Sequence, residues 1–182
     1  MKTSEIKRER QLWIPKKERI WVFTVMILST LIVLWELKGF LALPLSTLHS
    51  KQFEHTLKSF GSIARVLLFF VLSYYVILRV IKLPVLKGQA KVKKWLSTLL
   101  RYTRKWHTPV AIFSISLIIL HTVAAFLHGF KFDFNYVSGL IALLVLLPVP
   151  ISGLFRYQRR DRKWHLWSGI TFAILFLLHS FL

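Results

Sequence analysis

Apolar residues gather into five runs, at 20–43, 62–81, 107–127, 136–155 and 165–182, separated by shorter polar or basic stretches. Each run approaches or exceeds the roughly 20 residues with which an α-helix crosses a hydrocarbon core about 30 Å thick. Alternation with the period of a strand is absent, which argues against a β-barrel. The expected fold class is therefore all-α: a polytopic membrane helical bundle with five transmembrane helices. Pro148 and Pro150 near the end of the fourth run predict a kink or an early stop. Residues 87–106, KGQAKVKKWLSTLLRYTRKW, follow a different pattern: Val92, Trp95, Leu96, Leu99 and Leu100 recur at helical spacing with lysines and arginines between them. Such a stretch predicts an interfacial helix held by anionic lipid headgroups, or a docking surface for an acidic cytoplasmic partner.

Charge adds orientation. The 182 residues carry 26 Lys and Arg against 7 Asp and Glu, a formal net charge of +19. An excess of that size is compatible with nucleic-acid binding, but its placement is not that of a binding face. The basic residues crowd into 2–19, 82–105 and 156–163, and few fall in 44–61 or 128–135. Rich and poor segments alternate between successive spans, as the positive-inside rule requires. The reading is a basic cytoplasmic N-terminal segment, 1–19, followed by a five-span domain, 20–182, whose 82–106 connection is basic, amphipathic and cytoplasmic. The N-terminus is then inside and the C-terminus outside. Residues 1–19 are too polar for the apolar core of a cleaved signal peptide, so 20–43 is expected to be a retained first helix. The sequence has no cysteine, which excludes disulfides, thiolate metal sites and covalent C-x-x-C-H haem attachment.

The candidate chemistry lies in a repeat. The tetrapeptide RKWH occurs at 104–107 and again at 162–165, and each copy opens an apolar run that reaches a second histidine fourteen residues after the first. RKWHTPVAIFSISLIILH ends at His121 and RKWHLWSGITFAILFLLH ends at His179; eight of the eighteen aligned positions are identical. Fourteen helical residues turn about 1400°, within about 40° of four full turns, and rise about 21 Å. His107 and His121 therefore share one face of the third span, and His165 and His179 share one face of the fifth. Spans three and five run in the same direction. If the two are adjacent, His107 is level with His165 near the cytoplasm and His121 is level with His179 near the outside.

Two histidines opposed at each level suit haem b, which takes an axial imidazole on each face of the iron. The metal ligands would be His107 with His165 and His121 with His179, for two haems b in all. Single intramembrane histidines more commonly bond helices together or relay protons, and that alternative stands beside the first. Zinc requires three or four ligands in one place, whereas the grid offers two per level with no acid nearby. Phe172 lies midway between His165 and His179, where it could separate two macrocycles opposite the small Ser114. Ala111 and Gly169, each four residues after an inner histidine, leave room for a porphyrin, or simply pack helices. Propionates want cations: Arg101, Arg104 and Arg162 lie near the inner level and Arg65 near the outer, though Arg65 could instead reach headgroups. His128, seven residues beyond His121, could replace it as the outer ligand. His49 and His55 fall in the external loop without a ligand pattern.

With two histidine pairs on the third and fifth of five spans, the sequence resembles the ferric-reductase-like transmembrane domain, the superfamily of NADPH oxidases, metalloreductases and the haem subunit of bacterial methionine sulfoxide reductase systems. The resemblance covers the spans loosely and the histidine pairs specifically. It implies that His107, His121, His165 and His179 hold two stacked haems b that pass electrons across a cell membrane, a bacterial plasma membrane on this resemblance. Many members have a sixth span, and the oxidases carry a cytoplasmic flavin and NAD(P)H domain. No G-x-G-x-x-G occurs here, and the chain ends three residues after His179. The donor is thus expected to be a separate flavoprotein reductase or a quinol, with an acceptor on the outer face. Two rivals remain. One is the haem subunit of a two-component reductase serving a periplasmic enzyme; the other is a haem-free scaffold or transporter whose histidines relay protons.

Overall fold

The computed structural model describes residues 16–155 and 162–182. The basic clusters expected within 2–15 and 156–161, and the side chain of Arg162, lie outside the described residues. Seven α-helices are found among the described residues: α1 (Lys16–Leu41), the single turn α2 (Leu45–Leu48), α3 (Lys51–Val80), α4 (Ala90–Gly129), α5 (Phe134–Leu146), α6 (Pro148–Phe155) and α7 (Arg162–Phe181). No strand occurs among them. Among the described residues, five segments are long and apolar enough to cross a membrane: Glu18–Leu41, Lys51–Val80, Ala90–Gly129, Phe134–Gly153 and Lys163–Phe181. This architecture is compatible with a multi-pass membrane protein. The chain divides into two compact units, Trp21–Phe132 and Asp133–Leu182, the latter grouped with the residues up to Ile20.

The Trp21–Phe132 unit is built on a long antiparallel hairpin of α3 and α4. Ser50 starts α3 by accepting the Phe53 N–H on its hydroxyl at 3.2 Å. Gly88, at φ +92°, turns the chain before α4, a conformation other residues rarely adopt. Ala64, Leu117, Leu120 and Ala124 are buried where the two helices meet. Small side chains there let the helices approach, and the wholly buried Ser114 hydroxyl donates to the Ala64 carbonyl across them at 3.3 Å. At the α2 end Phe40 of α1 closes this core, edge-on to Phe53 at 5.3 Å and to Phe60 at 6.1 Å. Trp21, Ile27, Leu31, Leu34 and Trp35 of α1 are exposed instead, as on a helix that meets apolar surroundings around most of its girth.

In the second unit α7 packs on both α5 and α6. The Asp133 carboxylate caps α5 by accepting the Tyr136 N–H at 2.9 Å. The chain breaks between α5 and α6 at Leu147, where Pro148 and Pro150 withhold two N–H donors from the helix ladder. That is the interruption the prolines predict.

Two boundaries differ from expectation. Helix α3 begins at Lys51, eleven residues before the apolar run at 62, because Ser50 caps it and Phe53 and Leu57 bury themselves at helical spacing. Residues 90–106, expected as a separate interfacial helix, are the first part of α4, which runs unbroken for 40 residues, about 60 Å of rise. Nothing between Ala90 and Thr108 is a glycine or proline, and Pro109 sits inside the helix without ending it.

Candidate functional site

The four grid histidines divide two and two, His107 and His121 on α4 and His165 and His179 on α7. All four are half-buried. Three of them share a local arrangement with the helix beside them.

On α4 the His121 imidazole reaches across to α3, its Nδ1 2.8 Å from the Leu57 carbonyl. A carbonyl oxygen can only accept, so Nδ1 carries the proton, and in the neutral ring Nε2 carries the lone pair. One turn further along α3 is Gly61. A Cβ built there would stand 2.9 Å from two atoms of the His121 ring, well inside the ~3.5–4.0 Å of favourable carbon contact. The ring can lie where it does because residue 61 has no side chain.

On α7 His165 repeats this against α6. Its Nδ1 lies 3.1 Å from the Val149 carbonyl and 3.3 Å from the Ser152 hydroxyl. That hydroxyl gives its own proton to the Val149 carbonyl at 2.9 Å, so toward His165 it accepts. A Cβ at Gly153 would meet the His165 ring at 3.3 Å. His179 repeats it against α5: Nδ1 lies 3.2 Å from the Ser138 hydroxyl, whose proton goes to the Asn135 carbonyl at 3.1 Å. A Cβ at Gly139 would stand 2.8 Å from the ring. His121 and His165 thus carry the proton on Nδ1, His179 places the same nitrogen against a hydroxyl, and each of the three rings lies over a glycine of its neighbour.

His107 departs from this. Its ring packs against Tyr74 of α3, with centroids 5.6 Å apart and planes at 58°. His128 has the hydrogen bond without the glycine. Its Nδ1 is 2.8 Å from the Leu48 carbonyl, and its ring lies against Phe53 at 6.4 Å and His49 at 6.5 Å. His55 is exposed on the first turns of α3.

The remaining candidates sort as follows. Arg65 is half-buried on α3 one turn beyond Gly61, near the level of His121. Arg101 and Arg104 are exposed on α4, and Arg101 donates to Thr98 at 3.3 Å. Phe172 is buried midway between His165 and His179 and stacks on Phe176, with centroids 6.0 Å apart. Ser114, imagined opposite Phe172, spends its hydroxyl on α3 and so serves the hairpin. A side chain added at Gly169 would meet no described atom within 4 Å. No group of three or more His, Cys, Asp or Glu placed to hold a metal ion occurs among the described residues.

Chemically, a histidine whose Nδ1–H is held by a carbonyl or hydroxyl is oriented as a metal ligand. The bond fixes the ring plane and tautomer and raises the basicity of Nε2. The glycines make a graded prediction. Gly139→Ala and Gly61→Ala should push the His179 and His121 rings off their acceptors, whereas Gly153→Ala, with more room, should leave His165 in place. Nitrogen-15 histidine spectra of the haem-free chain would show this as loss of a single Nδ1-protonated signal in each of the first two variants and retention in the third. Equal effects from all three would contradict the arrangement.

The glycines were missed in reading the sequence, though one signal was present. Ser138-Gly139 and Ser152-Gly153 are fourteen residues apart, the spacing of His165 and His179 on the antiparallel helix they face. Comparison with known proteins returns no match: no protein-family model, curated protein or solved structure corresponds to this chain.

Proposed function

We propose that the chain is a membrane electron carrier of ferric-reductase-like type, holding two haems b between histidine pairs: His107 with His165 on the cytoplasmic side, His121 with His179 on the outer side. The observation that carries this reading is the common seat of His121, His165 and His179, each with Nδ1 held by a neighbouring helix and its ring over a glycine. It also weighs against proton relay. A relay needs both ring nitrogens in line with exchangeable groups, and the backbone carbonyls that hold His121 and His165 accept a hydrogen bond but cannot pass a proton on.

In this reading Nδ1 anchors His121, His165 and His179, and Nε2 of each would bind iron. When bound, the two haems supply one-electron redox chemistry, so that reducing equivalents from a cytoplasmic donor reach an acceptor on the outer face. The protein holds the rings, keeps the surroundings apolar and neutralises propionates. Arg65 suits the outer pair, and Arg104 the inner. Phe172 lies between the two levels as a spacer. Orientation follows the charges. Arg79, Lys82, Lys87, Lys91, Lys93, Lys94, Arg101, Arg104 and Lys105 cluster where α3 ends and α4 begins, and we assign that end, with the N-terminus, to the cytoplasm of a cell membrane. The donor would be a separate flavoprotein reductase or a quinol. The first turns of α4 run on past the end of α3, with Trp95 66% exposed among the lysines. They offer such a protein an electropositive handle, and anionic lipid would compete for it. A haem subunit serving a periplasmic enzyme uses the same ligands and differs in its acceptor.

The test is stoichiometric. Pyridine haemochrome assay of the purified chain, reconstituted with excess haem, should give two haems b per polypeptide. A colourless, well-folded preparation would remove the proposal and restore proton relay.

A further inference from the structure

His49 and His128 have no part in the reading above, yet they come together. His49 ends α2, His128 lies in the last turn of α4, and their ring centroids are 6.5 Å apart with planes at 73°. The Leu48 carbonyl that takes the His128 Nδ1 proton belongs to the residue just before His49. One hydrogen bond therefore fixes the His128 ring, sets its lone pair on Nε2 and ties it to the segment that carries His49. His49 is exposed, so its ring can turn at little cost.

We propose that His49 and His128 form a two-imidazole site for a borderline transition-metal ion, Cu(II) before Zn(II). Two imidazoles on one ion, at metal–nitrogen distances of about 2.0–2.1 Å, have centroids about 5–6.5 Å apart, and the observed pair stands at the wide end of that range. Closing it calls on the exposed His49 ring to turn toward His128. Imidazole selects copper, zinc and nickel over magnesium or calcium, and copper binds tightest of the divalent series. The nearby acid, Glu54, is engaged by Lys58 at 2.6 Å and is not needed as a ligand; water would complete the shell. His128 lies about 10 Å along α4 from His121, at the outer end in the proposed orientation. An ion held there stands where a reducible acceptor would be wanted, a placement that rests on the electron-carrier reading, whereas the binding itself does not.

The experiment uses full-length chain without a histidine tag, prepared free of haem, titrated with Cu(II) and followed by electron paramagnetic resonance. One Cu(II) per chain with hyperfine coupling to two imidazole nitrogens is expected. His49→Ala, which alters an exposed ring, should weaken binding about 100-fold through loss of chelation. His128→Ala should match it, and His55→Ala should change nothing. Zn(II) should compete for the ion's place and Mg(II) should not. Copper binding that survives His49→Ala, or that is lost in His55→Ala instead, overturns the site. Because no haem is present, either result stands apart from the haem count.

Discussion

On the haem-carrier reading, replacing His165 by alanine should leave a chain with one haem where the unaltered protein would hold two. The reasoning is geometric. His165 and His179 lie about 21 Å apart along α7, and each has its own seat. His165 rests over Gly153 with Nδ1 on the Val149 carbonyl, and His179 over Gly139 with Nδ1 on the Ser138 hydroxyl. Removing the first ligand disturbs nothing that holds the second. Haem content per polypeptide should fall by half, and the redox-difference spectrum should keep the outer centre alone. His121→Ala should remove the other half. If His165→Ala changes neither haem content nor spectrum while His128→Ala does, the pairing is wrong and the ligand on α4 must be reassigned.

A larger effect is expected on electron flux. In proteoliposomes sorted for orientation, a reductant on the RKWH side should reduce a membrane-impermeant acceptor on the far side. The double variant His121→Ala, His179→Ala should bring that flux down to the leak of empty vesicles, because an electron arriving at the inner level has no outer centre to reach. Arg65→Ala should act more mildly and on the outer centre, since Arg65 is half-buried one turn from the glycine that seats His121. Its signature would be a shifted outer potential with both haems retained. Flux that persists unchanged in the double variant would exclude the relay and point to another carrier.

The five spans and the histidine spacing could be read from residues alone, because apolar run length and a fourteen-residue period need no partner to be recognised. The seats could not. A glycine such as Gly61 or Gly139 has meaning only once the helix it faces and the register between them are known, and single-sequence periodicity gives neither. The Ser-Gly pairs at 138–139 and 152–153 would have become informative if the α5–α6 segment had been laid antiparallel to α7 and searched for the histidine spacing. The fate of residues 90–106 was ambiguous for another reason. An amphipathic helix has the same 3.6-residue period whether it lies on a membrane or continues a span, and the informative feature is the lack of any breaker from Ala90 to Thr108. Helix α3 starts ahead of its apolar run because the Ser50 hydroxyl supplies the cap, a signal that lies outside the run.

The hydrogen bonds on His121, His165 and His179 bear on how a cofactor would be acquired. Each ring is held by a neighbouring helix of its own unit, so the rotamer freedom of three imidazoles is surrendered when those helices pack. Capture then requires little further ordering, and preorganisation of this kind strengthens binding by removing an entropic cost rather than by adding contacts. On the haem-carrier reading, the imidazole seats would form as the helices pack rather than around the ligand. Helical circular dichroism would then, on that reading, be nearly the same before and after loading.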